Sequence, residues 1–248
     1  MSRKCEAWQG IRASGLRLGA LGYFAILCYD LAMRIWHILA LTLMPQTAMA
    51  CGNTVCLVNP DSLILPQVID FDDQPSGWGP GVEVDDVLAL PGARIGEHFA
   101  GQQVSTSGAH DIVTGPAFAP LTVRAGRDGQ NLSVVHFSGT TLINGFGAAG
   151  YPSRDAQGEG AIAVEFDEDQ SALSFELRGG EAGAASVTFL RRDGAILGTV
   201  PVVPTGEFTV GFITYDGNDD IAGFVITNTD PQGLAIDTLR FGKPPDIG

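Results

Sequence analysis

Between residues 158 and 241, apolar and polar positions alternate with a period of two, one segment after another. In AIAVEFD, Ile162, Val164 and Phe166 fall on one face, with Glu165 and Asp167 on the other. ALSFEL repeats the pattern with Leu173, Phe175 and Leu177, and FTVGFITY with Phe208, Val210 and Phe212. Side chains of a strand alternate between its two faces, so this pattern predicts half-buried antiparallel strands. Asp193-Gly194 inside FLRRDGAILGTV predicts a tight hairpin whose two central residues both take positive φ. No stretch sustains a helical period, no repeat is visible, and no linker divides the run.

The first half is less regular. Residues 57–66 read as a lead-in with one edge strand between Pro60 and Pro66, and VIDFDD (68–73) as a short strand ending in carboxylates. The stretch 74–81 is a loop by its glycines and prolines. Strands are predicted near 93–99 and 102–105, with helical character over 84–90 that Pro91-Gly92 ends. Residues 105–120 read as a loop; LTVRAG, LSVVHFSG and TTLING as strands; 145–160 as a long irregular loop. Short strands separated by Gly, Pro and Asp predict an all-β fold, an antiparallel two-sheet sandwich of the jelly-roll type. The expected organisation is a targeting segment (1–50), a disulfide loop and lead-in (51–66), one sandwich domain (67–242) and a tail (243–248).

Residues 34–50, RIWHILALTLMPQTAMA, have the order of a secretory signal: a basic residue, an apolar run, a break at Pro45, then the small-x-small site Ala48-Met49-Ala50. Met33 directly precedes it and is the expected true start. Asp30 and Arg34 interrupt the wider apolar stretch, so neither half reaches the ~18–20 residues of a membrane span. The mature chain is therefore expected to be exported, with no transmembrane span. It keeps Cys51 and Cys56, whose simplest use in an oxidising compartment is a small disulfide loop. Lipidation of Cys51 is the alternative.

Charge then narrows the partners. The chain of 248 residues carries −14, and since residues 1–50 hold +3 the remainder carries −17. Such a surface repels phosphate backbones and argues against nucleic acid, while favouring cations.

The order of IDFDD, GARIGEHF, FLRRDGAILGTV, GFVITNTDPQG and AIDTLRFG resembles the secreted bacterial jelly-roll domains found in PEP-CTERM (exosortase-sorted) surface proteins. The resemblance covers residues 69–242. It implies a sandwich similar to galactose-binding and carbohydrate-binding modules, with a structural calcium where the first and last strands meet. Two departures stand out. The chain closes on KPPDIG rather than a sorting motif, so sorting by that route is not implied. Asp237 is followed by Thr238, where a second carboxylate or amide is common.

Several constellations could carry chemistry. Calcium takes about six to eight oxygen ligands. Asp70 and Asp72, with Asp73 beside them, would meet Asp237 if the first and last strands pair. Asp216, Asn218 and Asp220 have calcium-loop spacing without the Gly and distal Glu of an EF-hand, and Asp167, Glu168 and Asp169 form a third group. Gly145 to Gly150 spells G-x-G-x-x-G, but the Tyr-Pro-Ser that follows opens no helix to hold a pyrophosphate. His98, His110 and His136 lack metal spacing, and Ser133 and Ser138 lack a nucleophile elbow. Saccharide binding needs exposed aromatic rings beside polar groups. Trp78 and Tyr151 are the candidates, with Phe146 and Tyr215 behind them. The reading is an exported, non-catalytic sandwich that either binds a ligand, a glycan or envelope component, or serves as a cell-envelope structural module, with calcium as its candidate cofactor. The alternatives are a polysaccharide hydrolase and a purely structural matrix protein.

Overall fold

The computed structural model describes residues 53–243. The signal-like segment, Met33, Cys51 and the tail beyond 243 lie outside the described residues. The strands are β1 (Val55–Val58), β2 (Gln67–Ile69), β3 (Val82–Val84), β4 (Leu88–Leu90), β5 (Ala93–Gly96), β6 (His98–Phe99), β7 (Gln103–Ser107), β8 (His110–Thr114) and β9 (Val123–Arg124). Then follow β10 (Leu132–Phe137), β11 (Thr140–Phe146), β12 (Gln157–Gly160), β13 (Ile162–Gln170) and β14 (Ala172–Gly179). The last are β15 (Ala185–Leu190), β16 (Ile196–Val202), β17 (Phe208–Thr214), β18 (Ile221–Asn228) and β19 (Leu234–Phe241).

Two antiparallel sheets dominate. One has nine strands, ordered β1-β17-β14-β19-β11-β10-β3, with β12 added on β11 and β2 on β19. The other has six, ordered β16-β15-β18-β13-β5-β4. The alternation read from the sequence supplies the inner faces. Phe175 and Phe212 of the first sheet meet Phe224 and Phe189 of the second, with ring centroids 5.4 Å apart for Phe175–Phe224 and 5.1 Å for Phe189–Phe212. Ile143, Leu177, Ile236, Val164, Phe166 and Phe241 fill the rest of this apolar layer, all fully buried.

The six-stranded sheet is buried on its outer face as well. Phe99, Leu121 and Val123 lie over Ala163, Leu190, Ala222 and Val225 in a second apolar cluster. Alternation alone would put Glu165 in water. Instead it is 2% exposed. Its carboxylate accepts from Arg94 Nη2 at 2.8 Å and from the backbone N–H of Val123 at 2.8 Å. A buried charge persists only when paired and hydrogen-bonded, and this one ties the covering segment to the sheet.

Four local expectations are corrected. The stretch 84–90 is not helical: Val82–Val84 pairs with β10 and Leu88–Leu90 with β5, because β-branched Val and two available sheet edges outweigh a weak helical pattern. The supposed loop 105–120 contains the end of β7, its turn and all of β8, a hairpin whose alternation is diluted by Ser, Thr and Gly. The edge strand of the lead-in is Val55–Val58 on β17, while Pro60–Ser62 form a 3-10 turn capped by Asn59. At the Asp193-Gly194 hairpin only Gly194 takes positive φ, at 82°. Gly194 N donates to Arg191 O and Arg191 N to Ala195 O, the pattern of a turn followed by a glycine bulge.

Candidate functional site

The opposite face of the nine-stranded sheet carries an open cleft of about 560 Å³. Its floor follows from register. Ile143, Ile236 and Leu177 point into the core. Their neighbours Leu142, Asn144, Ala235 and Arg178 therefore turn outward, and Val135 stands opposite Leu142 on β10. Asn144 is fixed by a hydrogen bond that Ser133 Oγ donates to its Oδ1 at 3.2 Å.

The rim is built by loops. Trp78 and Gly79 come from the segment before β3; Arg154, Gln157 and Gly158 from the segment around β12; Glu207 and Gln232 from the turns flanking β17 and preceding β19. The Trp78 loop is held against β10. His136 N donates to Gly77 O at 2.8 Å and Gly77 forms a parallel bridge with Val135. Gly81 lies so close that a Cβ there would sit 2.5 Å from Val134 O, and its φ is 83°. The indole of Trp78 rests edge-on against the His136 ring, centroids 5.1 Å apart, yet stays 75% exposed. Phe137, 53% exposed, lies on the same wall. Two large aromatics thus stand in solvent beside the cleft.

Tyr151 has a different place. It packs edge-on against Phe146 at 5.3 Å, and its hydroxyl donates to Gly81 O at 3.2 Å. It does not line the cleft but joins the two loops that do. Tyr215 is exposed at the end of β17, away from the lining residues.

The first and last strands do pair: Leu239 is opposite Ile69, and Phe241 opposite Gln67. Asp72 and Asp237 reach successive residues of β11. Thr141 N donates to Asp72 Oδ1 at 3.2 Å, and Thr140 Oγ1 to Asp237 Oδ2 at 2.8 Å. The other Asp237 oxygen accepts from Thr238 N at 2.6 Å, and Asp70 Oδ1 accepts from Asp72 N. Phe71 and Thr238 take positive φ at this junction, 61° and 45°. Asp216 closes its own turn by accepting from the backbone and side chain of Asn218, and Asp220 pairs with Arg191. Asp169 is held by Arg192, while Asp167 N donates to Gly92 O and Glu168 O accepts from the Gln170 side-chain amide. Among the described residues no three His, Cys, Asp or Glu groups form a set able to hold a metal. The carboxylates of Asp70, Asp72, Asp237, Asp216, Asp220 and Asp169 each engage a hydrogen bond or ion pair within the chain. Cys56 is buried in β1, and the proposed bridge to Cys51 reaches outside the described residues.

The G-x-G-x-x-G stretch runs from β11 into a turn and opens no helix. Gly145 and Gly147 instead let neighbouring backbone approach closely: a Cβ would lie 2.6 Å from Ala161 O and 2.4 Å from Ala109 O, respectively.

A second polar group lies beyond the cleft. Asp111, on β8, accepts from Ala161 N at 3.2 Å. Burial, and then the charge of Glu97, push its carboxyl up to about 7, against the opposing effects of the Ala161 N–H and His98. Glu159 lies against His110 Nδ1. Burial, reinforced by Asp230, raises Glu159 to about 7 as well, and burial lowers His110. Alternation alone gave no signal for this group, because its members come from β8, β12 and the turn after β18.

The floor residues Val135, Leu142, Asn144, Arg178 and Ala235 also carried no sequence signal. Comparison with family models, with curated proteins and with solved structures returns no match.

Proposed function

We propose that this chain is an exported, non-catalytic binding module whose cleft on the nine-stranded sheet takes a saccharide. The observation that carries the reading is Trp78, 75% exposed, standing over a cleft lined by Asn144, Gln157, Gln232, Arg154 and Arg178. An aromatic face offers apolar contact to the C–H face of a sugar ring, while amides and guanidinium groups serve its hydroxyls. The cleft volume of about 560 Å³ falls in the range of small-ligand sites, about 300–1,000 Å³, and its open form suits a chain rather than an enclosed metabolite.

Export is supported by the order of residues 34–50, and no described helix is long and apolar enough to cross a membrane. A binding rather than hydrolytic role is favoured by the placement of carboxylates. A glycosidase needs two across its groove, one of them held protonated. Here Asp111 and Glu159 are both raised and neither lines the cleft, whose lining carboxylate is the exposed Glu207.

The test uses Trp78 as reporter. The other tryptophans are Trp8 and Trp36, so a Trp8→Phe/Trp36→Phe chain leaves one fluorophore, at the site. Titration with a panel of soluble polysaccharides should shift its emission saturably. Trp78→Ala should abolish retention in affinity electrophoresis without lowering the melting temperature. A panel that leaves Trp78 emission unchanged sinks the reading.

A further inference from the structure

Resting on the saccharide reading of the cleft, we infer that its ligand is anionic: a carboxylate-bearing saccharide, a uronate chain, gripped by Arg154 and Arg178. The whole chain has 28 acidic against 14 basic side chains. The cleft reverses this balance, with two guanidinium groups and one carboxylate among its lining residues. A neutral sugar needs no such reversal, and hydroxyls are served equally well by the amides already there. At physiological ionic strength, charges more than about 8 Å away are largely screened, so the local pair decides what binds rather than the net charge of the chain.

The state of the two arginines strengthens the point. Arg154 is exposed and makes no ion pair among the described residues. Arg178 projects from β14 beside Ala235 and is only partly engaged. Nη2 binds Glu176 at 2.8 Å. Nη1 stands 3.5 Å from Glu207, whose side chain is 62% exposed. Charge-assisted bonds of this kind normally close to about 2.7–2.9 Å. Nε has no acceptor among the described residues. A guanidinium carries five N–H donors in a planar fork that matches a carboxylate. Glu207 thus occupies Arg178 loosely, from a mobile-length side chain at the rim, in the place that a ligand carboxylate would take. Trp78 supplies the ring contact from the loop before β3, several strands away from Arg178 on β14, so ring contact and the Arg178 grip are separate.

The experiment compares a uronate oligosaccharide with its carboxyl-reduced counterpart of equal length, read by Trp78 emission in the Trp8→Phe/Trp36→Phe chain. The uronate should bind about tenfold or more tightly, the scale of one charge-assisted hydrogen bond. Arg154→Gln, at an exposed position, should erase most of that preference, lowering uronate affinity far more than affinity for the reduced sugar. Arg178→Gln should do the same, with a melting curve to confirm folding. Glu207→Gln should tighten uronate binding. Equal or tighter binding of the reduced sugar overturns the inference and leaves the saccharide reading standing. Silence of Trp78 toward both sugars and toward the neutral panel overturns the two together.

Discussion

The hydroxyl of Tyr151 donates a hydrogen bond to the carbonyl of Gly81 at 3.2 Å, spanning 70 positions of sequence. That bond fastens the loop bearing Arg154 and Gln157 to the loop bearing Trp78. Tyr151 N in turn donates to Gly129 O, and its ring packs on Phe146, so the fastening point is itself anchored. The aromatic residue expected to contact a ligand instead joins the two loops that carry rim residues of the cleft.

Tyr151→Phe keeps the ring and removes the bond. A lone neutral hydrogen bond is worth about 1 kcal/mol, which for a domain of this size is a melting shift of about 2–4 °C. Trp78 fluorescence anisotropy in the single-tryptophan background should fall, because its loop loses a tether. Unchanged anisotropy and unchanged melting together would mean that the bond does not restrain the loop.

Gly79 and Gly81 flank the same turn and separate two kinds of glycine requirement. Both have positive φ, 72° and 83°. A Cβ at Gly79 meets open space, whereas one at Gly81 lies 2.5 Å from Val134 O. Gly79→Ala should cost only the left-handed conformation, about 1–2 kcal/mol. Gly81→Ala should cost more and push the loop off β10, weakening saccharide binding as well as stability. Urea titration of both variants checks the ranking; equal losses would refute the close approach.

Much of this fold was legible because strands of the second half alternate cleanly, and Phe166, Phe175 and Phe212 could be assigned to the interior from spacing alone. Glu165 was not, since alternation reports which face a residue occupies and says nothing of what covers that face. The cleft was legible only at its rim. Gly and Pro around Trp78 announced a loop, but Asn144, Arg178 and Ala235 are brought together by the strand order β14-β19-β11, a pairing between distant segments that no local pattern encodes.

Glu165 gives a test of the cover over the six-stranded sheet. Glu165→Ala strips the acceptor from Val123 N and from Arg94 at a site 2% exposed. An unsatisfied buried donor costs about 1–3 kcal/mol. Glu165→Gln retains an acceptor and should recover part of that loss. Hydrogen exchange should speed up at Val123 in the alanine variant before it does so in the nine-stranded sheet. Exchange that rises uniformly in both sheets would show that Glu165 does not act on the cover.

Asp111 predicts the direction of the pH dependence. Its carboxyl is raised from 3.8 to about 7, chiefly by burial and then by Glu97. Between these values the folded chain holds a proton that the unfolded chain has released. Where the folded state binds more protons, stability falls as pH rises. The contribution is therefore complete below about pH 4, is lost as pH climbs through about 7, and stays lost above it. Glu159, also raised to about 7, acts in the same sense over nearly the same window. The melting temperature should decline from pH 5 to pH 8, against the habit of acidic proteins whose carboxylates are paired. Asp111→Asn keeps an oxygen to accept from Ala161 N and removes the ionisation, so it should flatten the decline and melt higher than the parent at pH 8. A parent chain whose melting temperature rises across this interval would contradict the protonated Asp111.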